Sequence, residues 1–417
     1  MQSKMGEKNN IPQIRFNGFD ESWEVKKLGE IGFTYSGLFG KSKIDFGHGE
    51  GKYITYMNIF SNPITNVDIT APIEIDINQN EVEFGDVFFT TSSETPEEVG
   101  MTSVWLGSGK NTYLNSFCFG YRLTEELDSY FIAYLLRSFN IRKKITYLAQ
   151  GISRYNISKN KVMQICISRP KISEQYHIGS YFQNLDKLIT LQQQKHDKLV
   201  TLKKAMLDKM FPKEGADVPE IRFKGFKDKW EKRKLKEISI KVTEKNTPIR
   251  YCETFTNSAE YGIISQRDYF DNDISNSDNI DRYYVVKNDD FVYNPRISSF
   301  APVGPINRNR LGRNGIMSPL YTVFRTQDVD VTFLEHFFKT DCWHTFMRLN
   351  GDTGARSDRF SIKDFLFVEM PIPFPKIEEQ SQIGSYFQNL DKLISLHQQE
   401  IQKLKNIKKA CLEKMFV

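Results

Sequence analysis

A string of 12 residues, IGSYFQNLDKLI, occurs twice in this chain and constrains its fold more than any other feature. It lies at 178–189 and again at 383–394, 205 positions later. Identity extends to 29 of 42 positions between 170–211 and 375–416. A second pair of segments, 11–31 and 218–238, shares 12 of 21 positions. Because an internal repeat marks a structural unit that occurs more than once, we expect two equivalent halves with pseudo-twofold symmetry.

The C-terminal segment of each half has the pattern of a long helix. Apolar residues recur at steps of three and four, which is the spacing of a coiled-coil seam of about four heptads. At about 1.5 Å per residue, such a helix is about 54 Å long. We predict that the two helices pack as an antiparallel coiled coil, the alternative being that each packs on its own domain. The predicted seam contains Leu185, Leu188, Leu199, Leu202, Leu390, Leu393, Leu404 and Ile407.

Between the repeated segments, identity is lost but the hydrophobic pattern persists. GDVFF at 85–89 corresponds to DDFVY at 289–293, and each half then shows a strand followed by a short apolar helix. The expected fold class is therefore mixed α/β, with two divergent domains in tandem. We predict domains at 1–169 and 218–374, and helical spacers at 170–217 and 375–417.

Composition excludes several classes of protein. No apolar run approaches the roughly 18 residues of a membrane span. The five cysteines lie 48 or more residues apart and include no Cys-x-x-Cys pair, which predicts buried thiols in a reducing cytoplasm. The net charge is +5, and 220–241 alone carries nine basic and four acidic residues. This surplus favours a polyanionic partner, with a solvated charged face as the alternative.

No catalytic or metal-binding constellation is recognisable. Gly40–Ser42 lacks the upstream glycine of a phosphate loop. The tetrapeptide that begins at Asn294 differs from the Asn-Pro-Pro-aromatic motif of amino-methyltransferases at its third and fourth positions. His336, Cys342 and His344 have no second ligand pair at zinc-like spacing. We therefore predict that the chain holds no catalytic residue and no metal ion.

The chain resembles the specificity (S) subunit of a Type I restriction–modification system. The resemblance rests on FPKEGADVPEIRFKGF at 211–226, IPQIRFNGF at 11–19, GDVFFT at 85–90, GARSDRFSIKDF at 354–365 and the repeated helical segments. Together these motifs span essentially the whole chain. The resemblance implies that each divergent domain is a target recognition domain, which reads one half of a bipartite site in double-stranded DNA. It also implies that the coiled coil acts as a ruler between the two domains.

The same resemblance implies partners and cofactors. Two methylase (modification) subunits would dock on the helices and methylate adenine with S-adenosylmethionine. Two restriction subunits would add ATP- and Mg-dependent translocation and cleavage. This chain would bind none of these cofactors. Two other interpretations of the sequence are a coiled-coil interaction scaffold whose domains bind protein, and a self-sufficient nuclease or methylase.

Base reading requires polar side chains on loops that project from a rigid scaffold into the major groove. Three arginines suit guanine and two asparagines suit adenine, whereas a cluster of arginines in a Gly/Asn-rich loop suits phosphates. The predicted guanine readers are Arg296, Arg356 and Arg359, the adenine readers are Asn156 and Asn294, and the phosphate clamps are Arg308, Arg310 and Arg313. The remaining predicted DNA contacts are Thr90, Thr91, Ser92, Ser93, Arg154, Tyr155 and Ser298.

Overall fold

The computed structural model describes residues 10–269, 277–353 and 358–417. The chain divides into two compact units. Unit 1 consists of residues 1–193 together with 398–417, and unit 2 consists of residues 194–397. Each unit therefore contains one divergent domain and a part of both repeated helices.

Unit 1 contains eleven strands among its described residues, and helices α1–α4 together with the start of α5. The strands are β1 Glu24–Lys27, β2 Gly32–Ser36, β3 Phe46–Ile54, β4 Thr70–Ile73, β5 Val87–Thr90, β6 Ser92–Ser93, β7 Thr102–Val104, β8 Thr112–Leu114, β9 Cys118–Leu123, β10 Tyr155–Asn156 and β11 Cys166–Arg169. The helices are α1 Tyr56–Ser61, α2 Ser129–Leu135, α3 Phe139–Tyr147, α4 Lys159–Val162 and α5 Ile172–Lys209.

Unit 2 repeats this order with its own variations. Its strands are β12 Glu231–Lys234, β13 Ser239–Lys241, β14 Phe255–Ser258, β15 Gly262–Ser265, β16 Tyr284–Val286, β17 Phe291–Tyr293, β18 Ile306–Arg308, β19 Gly315–Met317, β20 Thr322–Thr326, β21 Gly351–Asp352, β22 Ser361–Ile362 and β23 Pro371–Phe374. Its helices are α6 Leu235–Ile238, α7 Gln266–Tyr269, α8 Val331–Phe337, α9 His344–Asn350, α10 Asp364–Phe367 and α11 Ile377–Lys414.

A four-stranded antiparallel sheet forms the centre of each unit. Its order is β2-β9-β5-β7 in unit 1 and β13-β20-β17-β18 in unit 2. All four residues of β5 are buried, because this strand has a neighbour on each side and packed layers on both faces. Phe89 stacks on Phe119 with ring centroids 4.9 Å apart, and Phe291 stacks on Phe324 at 5.5 Å. Such cross-strand pairs hold the register of a sheet.

A buried aspartate anchors the inner strand of each sheet. Asp86 and Asp290 are both 1% exposed. Arg122 donates two hydrogen bonds to Asp86, at 2.9 and 2.8 Å, and Arg325 donates two to Asp290, at 2.7 and 2.8 Å. A buried carboxylate needs such bidentate pairing to offset its lost hydration. This explains why the aspartate persists where the surrounding sequence has diverged.

The long helix that begins in each unit lies very close to the start of a short helix in the same unit. Asp128 caps α2 by accepting from the Phe131 amide at 2.7 Å, and its own amide donates to Gln175 of α5 at 3.0 Å. In unit 2, Asp330 and Gln380 make the same contacts with α8 and α11. Glycine allows the approach, because a Cβ on Gly179 would lie 2.3 Å from the Asp128 side-chain oxygen.

Both units contain an antiparallel pair of helical segments. In unit 1, Phe182 near the start of α5 stacks on Phe416 just after α11, at 5.6 Å, and Lys408 forms an ion pair with Asp186. In unit 2, Phe211 just after α5 stacks on Phe387 near the start of α11 at 6.1 Å. Lys203 pairs with Asp391 there, as the counterpart of Lys408 with Asp186. The predicted mixed α/β fold with antiparallel long helices is confirmed.

The predicted seam agrees with the structure at five of its eight positions. Leu185, Leu390 and Leu404 are 7%, 6% and 9% exposed. Leu199 and Ile407 are partly buried and pack on the cores of unit 2 and unit 1 respectively. These five residues therefore stabilise the helix pairs as the heptad pattern predicts.

The other predicted seam positions are corrected. Leu188, Leu202 and Leu393 are 47%, 39% and 44% exposed. Ile189 and Ile394, which follow Leu188 and Leu393, are half-buried. Earlier in each repeated string, Phe182 and Phe387 are 0% exposed, whereas the tyrosines before them are half-buried. The repeated string contains pairs of adjacent apolar residues. Steps of three and four can therefore run through either member of each pair, so the pattern does not settle which member is buried. Packing against the domain selects the phenylalanines, since Phe182 also stacks on Tyr134 at 5.0 Å.

Each long helix ends against the segment that opens a domain. The Ile14 amide donates to the Lys414 carbonyl at 3.0 Å in unit 1, and the Ile221 amide donates to the Lys209 carbonyl at 2.9 Å in unit 2. These bonds satisfy carbonyl groups that a helix end leaves without a partner. In the described part of the chain, no helix is long and apolar enough to cross a membrane.

We predict that Gly179→Ala lowers the free energy of unfolding of unit 1 by about 1–3 kcal/mol, the usual cost of overpacking. Alanine in a helix interior is otherwise about 1 kcal/mol more favourable than glycine, so a loss reports the close contact with Asp128. Denaturant unfolding of the full chain measures the change. Ser180→Ala, at an exposed neighbouring position, is the control and should have little effect. Stabilisation by Gly179→Ala would contradict the observed approach.

Candidate nucleic-acid interface

Two loops that the sequence singles out separately are joined in unit 1. Ser92 and Ser93 in β6 pair antiparallel with Asn156 and Tyr155 in β10. Gln150 and Asn156 exchange two backbone hydrogen bonds of 2.9 Å, which close the second loop. Because β6 follows the inner strand β5 almost directly, the joined loops are held rigidly on the sheet. We call 90–98 and 150–156 the unit 1 loop pair.

Arg154 is the exposed cation of this loop pair. Its guanidinium donates one hydrogen bond, to the Ser92 hydroxyl at 3.1 Å, and it has no carboxylate partner among the residues that the structure describes. The other five arginines of unit 1 bond to groups within the fold itself. Arg15, Arg122 and Arg169 pair with carboxylates, while Arg137 and Arg142 bond to backbone carbonyls. Arg154 is therefore available to an external acceptor.

Several hydroxyl residues of the unit 1 loop pair are buried, which differs from the expectation that they are readers. Thr90 is 0% exposed, and its hydroxyl accepts from the Met101 amide at 2.9 Å. Ser92 and Ser93 are 6% and 9% exposed. These side chains position the loops because the strand pairing turns them inward. Of the predicted polar residues of this loop pair, Asn156 is exposed, and Thr91 and Tyr155 are half-buried.

A tyrosine outside the predicted set supports the same loop. The Tyr56 hydroxyl donates to the Ser92 carbonyl at 2.8 Å. Burial raises the pKa of Tyr56 above its ordinary value, so the phenol stays a hydrogen-bond donor at neutral pH. The sequence offered no signal for this residue, because it lies 36 positions from its partner.

Unit 2 joins the equivalent loops through its arginines. Arg296 lies opposite Arg359 in an antiparallel bridge. The Ile297 amide donates to the Asp358 carbonyl at 3.0 Å, and the Phe360 amide donates to the Pro295 carbonyl at 2.7 Å. Neither arginine has a carboxylate partner within the described ranges. We call 294–301 and 358–360 the unit 2 loop pair, whereas the predicted reader Arg356 lies outside the described residues.

Asn294 holds its loop in place with its own side chain. Its side-chain oxygen accepts from the Arg296 amide at 3.0 Å, and its amide nitrogen donates to the Asn257 carbonyl at 2.7 Å. These bonds use the two groups that would recognise adenine. The structure thus leaves Asn294 half-buried within its loop, with Arg296 and Ser298 exposed nearby.

The unit 2 loop pair borders a cleft of about 740 Å³. Arg296, Ser298 and Arg359 line it together with exposed apolar residues, Phe300 and Leu320. Ser298 and Ala301 exchange two backbone hydrogen bonds of 3.1 Å, so the loop between them is a tight turn. The cleft combines cationic and apolar groups, which sequence reasoning did not connect.

The three predicted phosphate clamps are paired with carboxylates. Arg308 contacts Asp289 at 3.1 Å, and Arg310 contacts Glu335 at 2.8 Å. Arg313 makes two hydrogen bonds to Glu253, at 2.8 and 2.7 Å. The hydrogen bonds from Arg313 lower the pKa of Glu253 and keep it ionised. These ion pairs leave little net positive charge, so the structure disfavours the phosphate-clamp prediction.

The basic stretch at 220–241 is also neutralised by acidic residues distant in sequence. Arg222 pairs with the buried Glu379 at 2.6 Å. Lys234 and Lys236 share Glu369. The local charge surplus is therefore largely structural, because tertiary folding brings in acids that a sequence window does not contain. Within the described ranges, no group of three or more His, Cys, Asp or Glu side chains could hold a metal ion.

Comparisons with known proteins identify the family to which this chain belongs. The family described as Type I restriction modification DNA specificity domain matches twice, at residues 20–201 and 227–406. The chain belongs to this family, and its role is in DNA sequence specificity. The resemblance recognised in the sequence is thereby confirmed. A search of curated proteins finds no significant match.

Solved structures show the same fold. One is described as the crystal structure of a Type-I restriction-modification system S subunit from M. genitalium. It is 14% identical, the alignment covers 98% of this chain and 99% of that chain, and the TM-score is 0.51. A structure described as showing complex assembly and conformational transition of the type I R-M system is 17% identical, with coverage of 94% and 97% and a TM-score of 0.54. At these identities the likeness establishes the fold.

Proposed function

We propose that this chain is the specificity subunit of a Type I restriction–modification complex and that each unit reads one half of a bipartite site in double-stranded DNA. The loop pairs carry this proposal. Each is fixed to the inner strand of its sheet, and each presents arginine without a carboxylate partner among the described residues. The scaffold is the same in both units while the loop residues differ, as two readers of different sequences require.

The chemistry of the loop pairs suits base edges in the major groove. Arginine donates two parallel hydrogen bonds to O6 and N7 of guanine, and each such contact discriminates by about 1–3 kcal/mol. Arg154 serves this role in unit 1, and Arg296 and Arg359 serve it in unit 2. Asn156 is exposed beside Arg154 and suits adenine. The half-sites therefore contain guanine at the positions that these arginines contact.

The helices supply the spacing between half-sites in this proposal. α5 and α11 each contain 38 residues, and each begins in one unit and ends in the other. A continuous helix is stiff and rises about 1.5 Å per residue. Paired helices are therefore suited to act as a ruler, so that the number of base pairs between the half-sites depends on helix length.

Exposed leucines on both helices support docking of two modification subunits. Leu188 and Leu191 are 47% and 52% exposed on α5, and their counterparts Leu393 and Leu396 are 44% and 50% exposed on α11. Each pair is spaced by three residues and therefore shares a helix face. Exposed apolar residues that lie together on one face can form an interaction site. The repeat thus provides two equivalent surfaces, one for each partner subunit.

In the assembled complex, S-adenosylmethionine, ATP and Mg are bound by the partner subunits. The modification subunits methylate adenine, and the restriction subunits translocate and cleave unmodified DNA. This chain contributes sequence recognition and assembly but no catalytic group. The complex acts in the cytoplasm, where its DNA substrate is.

We predict that Arg154→Ala and Arg296→Ala each relax one base position, in different half-sites. The arginine contacts are independent because they belong to separate units. The chain is co-expressed with its modification subunits, and N6-methyladenine is mapped by single-molecule sequencing. The unaltered chain should produce one split motif with an unspecified spacer.

The matched control is Arg313→Ala, which removes an exposed arginine that is already paired with Glu253. It should leave the motif unchanged. Relaxation of the same half-site by both test variants would contradict the assignment of one half-site to each unit. Weak salt dependence of DNA binding by the complex would instead favour the protein-interaction scaffold, since phosphate contacts produce a steep dependence.

A seven-residue insertion in both long helices, after Gln193 and after His397, should lengthen the spacer by about three base pairs. One heptad adds about 10 Å and preserves the seam, and a base pair of B-DNA rises about 3.4 Å. Methylome sequencing measures the spacer. The same insertion in one helix alone should abolish methylation, because it breaks the pairing. Altered half-site sequences after the double insertion would refute the ruler role.

Leu188→Asp combined with Leu393→Asp should abolish co-purification of the modification subunits without unfolding the chain. Both side chains are exposed, so the charge is tolerated until a partner must cover it. Leu390→Ala is the contrasting change, since this buried leucine should cost about 2–5 kcal/mol of stability. Retention of both partner subunits by the double variant would move the docking surface elsewhere. Leu349→Asp, at a 79% exposed position in α9, controls for added surface charge.

A further inference from the structure

Phe300 is presented to solvent by a backbone that holds it in place. Its side chain is 75% exposed. Ser298 and Ala301 close the turn around it with two hydrogen bonds of 3.1 Å, and the Gly304 amide donates to the Ala301 carbonyl at 3.1 Å. The Ser298 hydroxyl accepts from the Ala301 amide as well, at 3.2 Å. The turn is thus rigid, and its apolar tip is not part of the core.

The surroundings of Phe300 distinguish it from an incidental surface residue. It belongs to the unit 2 loop pair and lines the same cleft as Arg296 and Arg359. Leu320, 61% exposed, adds a second apolar group to this cleft. A ligand that matches the cleft presents hydrogen-bond acceptors to the arginines and an apolar group to the phenylalanine.

The major groove offers this combination at adjacent bases. Guanine presents O6 and N7 as acceptors, and thymine presents its C5-methyl group, which side chains such as phenylalanine contact. We propose that Phe300 contacts the C5-methyl group of a thymine in the half-site read by unit 2, beside a guanine contacted by Arg296 or Arg359. This inference rests on the proposed function and adds a specificity-determining residue to it.

The unit 1 loop pair has no aromatic residue at the position equivalent to Phe300, and its exposed apolar residue, Ile152, lies on the other loop. Counting back 204 positions from Phe300 reaches Pro96, and the flanking residues Glu94, Glu97 and Glu98 are acidic and exposed. Carboxylates accept hydrogen bonds and have no favourable contact with a methyl group. The contact made by Phe300 is therefore assigned to the half-site read by unit 2, and the other half-site gives the experiment an internal reference.

The test replaces thymine by deoxyuracil, which lacks only the C5-methyl group. Duplexes carry the split motif found by methylome sequencing, with one thymine of the unit 2 half-site replaced at a time. The complex of the full chain with its modification subunits should bind one of these duplexes about four-fold more weakly, as expected for the loss of one buried methyl group. Phe300→Ala should bind the thymine duplex more weakly and show no difference between thymine and deoxyuracil at that position.

Two controls separate the contact from general effects. Ser299→Ala changes the exposed neighbour of Phe300 and should retain the thymine preference. Deoxyuracil in the unit 1 half-site should affect the unaltered complex and the Phe300→Ala complex equally. Circular dichroism of each variant checks that the chain is folded.

Three outcomes would overturn the inference. The first is a unit 2 half-site without thymine, and the second is retention of the thymine preference by Phe300→Ala. The third is found with 2-aminopurine, a fluorescent base analogue, in the unit 2 half-site: its fluorescence rises on binding in a way that depends on Phe300 but not on the methyl group. The last outcome would show insertion between base pairs. Each leaves the split motif and the Arg296→Ala effect intact, whereas failure of the proposed function would remove the split motif itself.

Discussion

The contact between each long helix and the capped start of a short helix is the constraint on which the rest of the structure depends. Gly179 and Gly384 carry no side chain where Asp128 and Asp330 cap α2 and α8, so the backbones approach closely. The approach lets Gln175 and Gln380 bond to the aspartate amides. It also places the first turns of each long helix on the core of its unit. Without it, the helix pair and the sheet would not share a core.

Charge pairing distinguishes the scaffold from the proposed recognition surface. Buried carboxylates hold Arg15, Arg122, Arg222 and Arg325 in equivalent places of the two units. Arginines of the loop pairs have no such partner among the described residues. This difference follows from electrostatics, because a buried ion must be paired whereas a reader must keep its donors available for DNA. The duplicated scaffold therefore tolerates divergence of the loops, since the buried ion pairs seen in the described part of the chain lie outside them.

Much of the fold, including the antiparallel pairing of the long helices, was predictable from the sequence, but the face that each long helix buries was not. The heptad spacing indicated the seam, and Leu185, Leu390 and Leu404 are buried as predicted. Adjacent apolar residues made the intermediate steps ambiguous, and packing of Phe182 on Tyr134 resolved them. The loop segments were likewise recognisable from turn and polar residues. The pairing of one loop with another was not predictable, because the paired residues are separated by about 60 positions in the sequence, as in β6 with β10.

Periodicity and motifs within short windows of the sequence are sufficient to establish the duplication, the mixed α/β class, the long helices and the resemblance to specificity subunits. Which arginines are available to a ligand depends on the tertiary structure. Arg308, Arg310 and Arg313 match a phosphate-binding pattern, yet Asp289, Glu335 and Glu253 pair with them. Whether a charged group faces a ligand or a carboxylate depends on which distant segments fold against it, and a linear pattern does not contain that information.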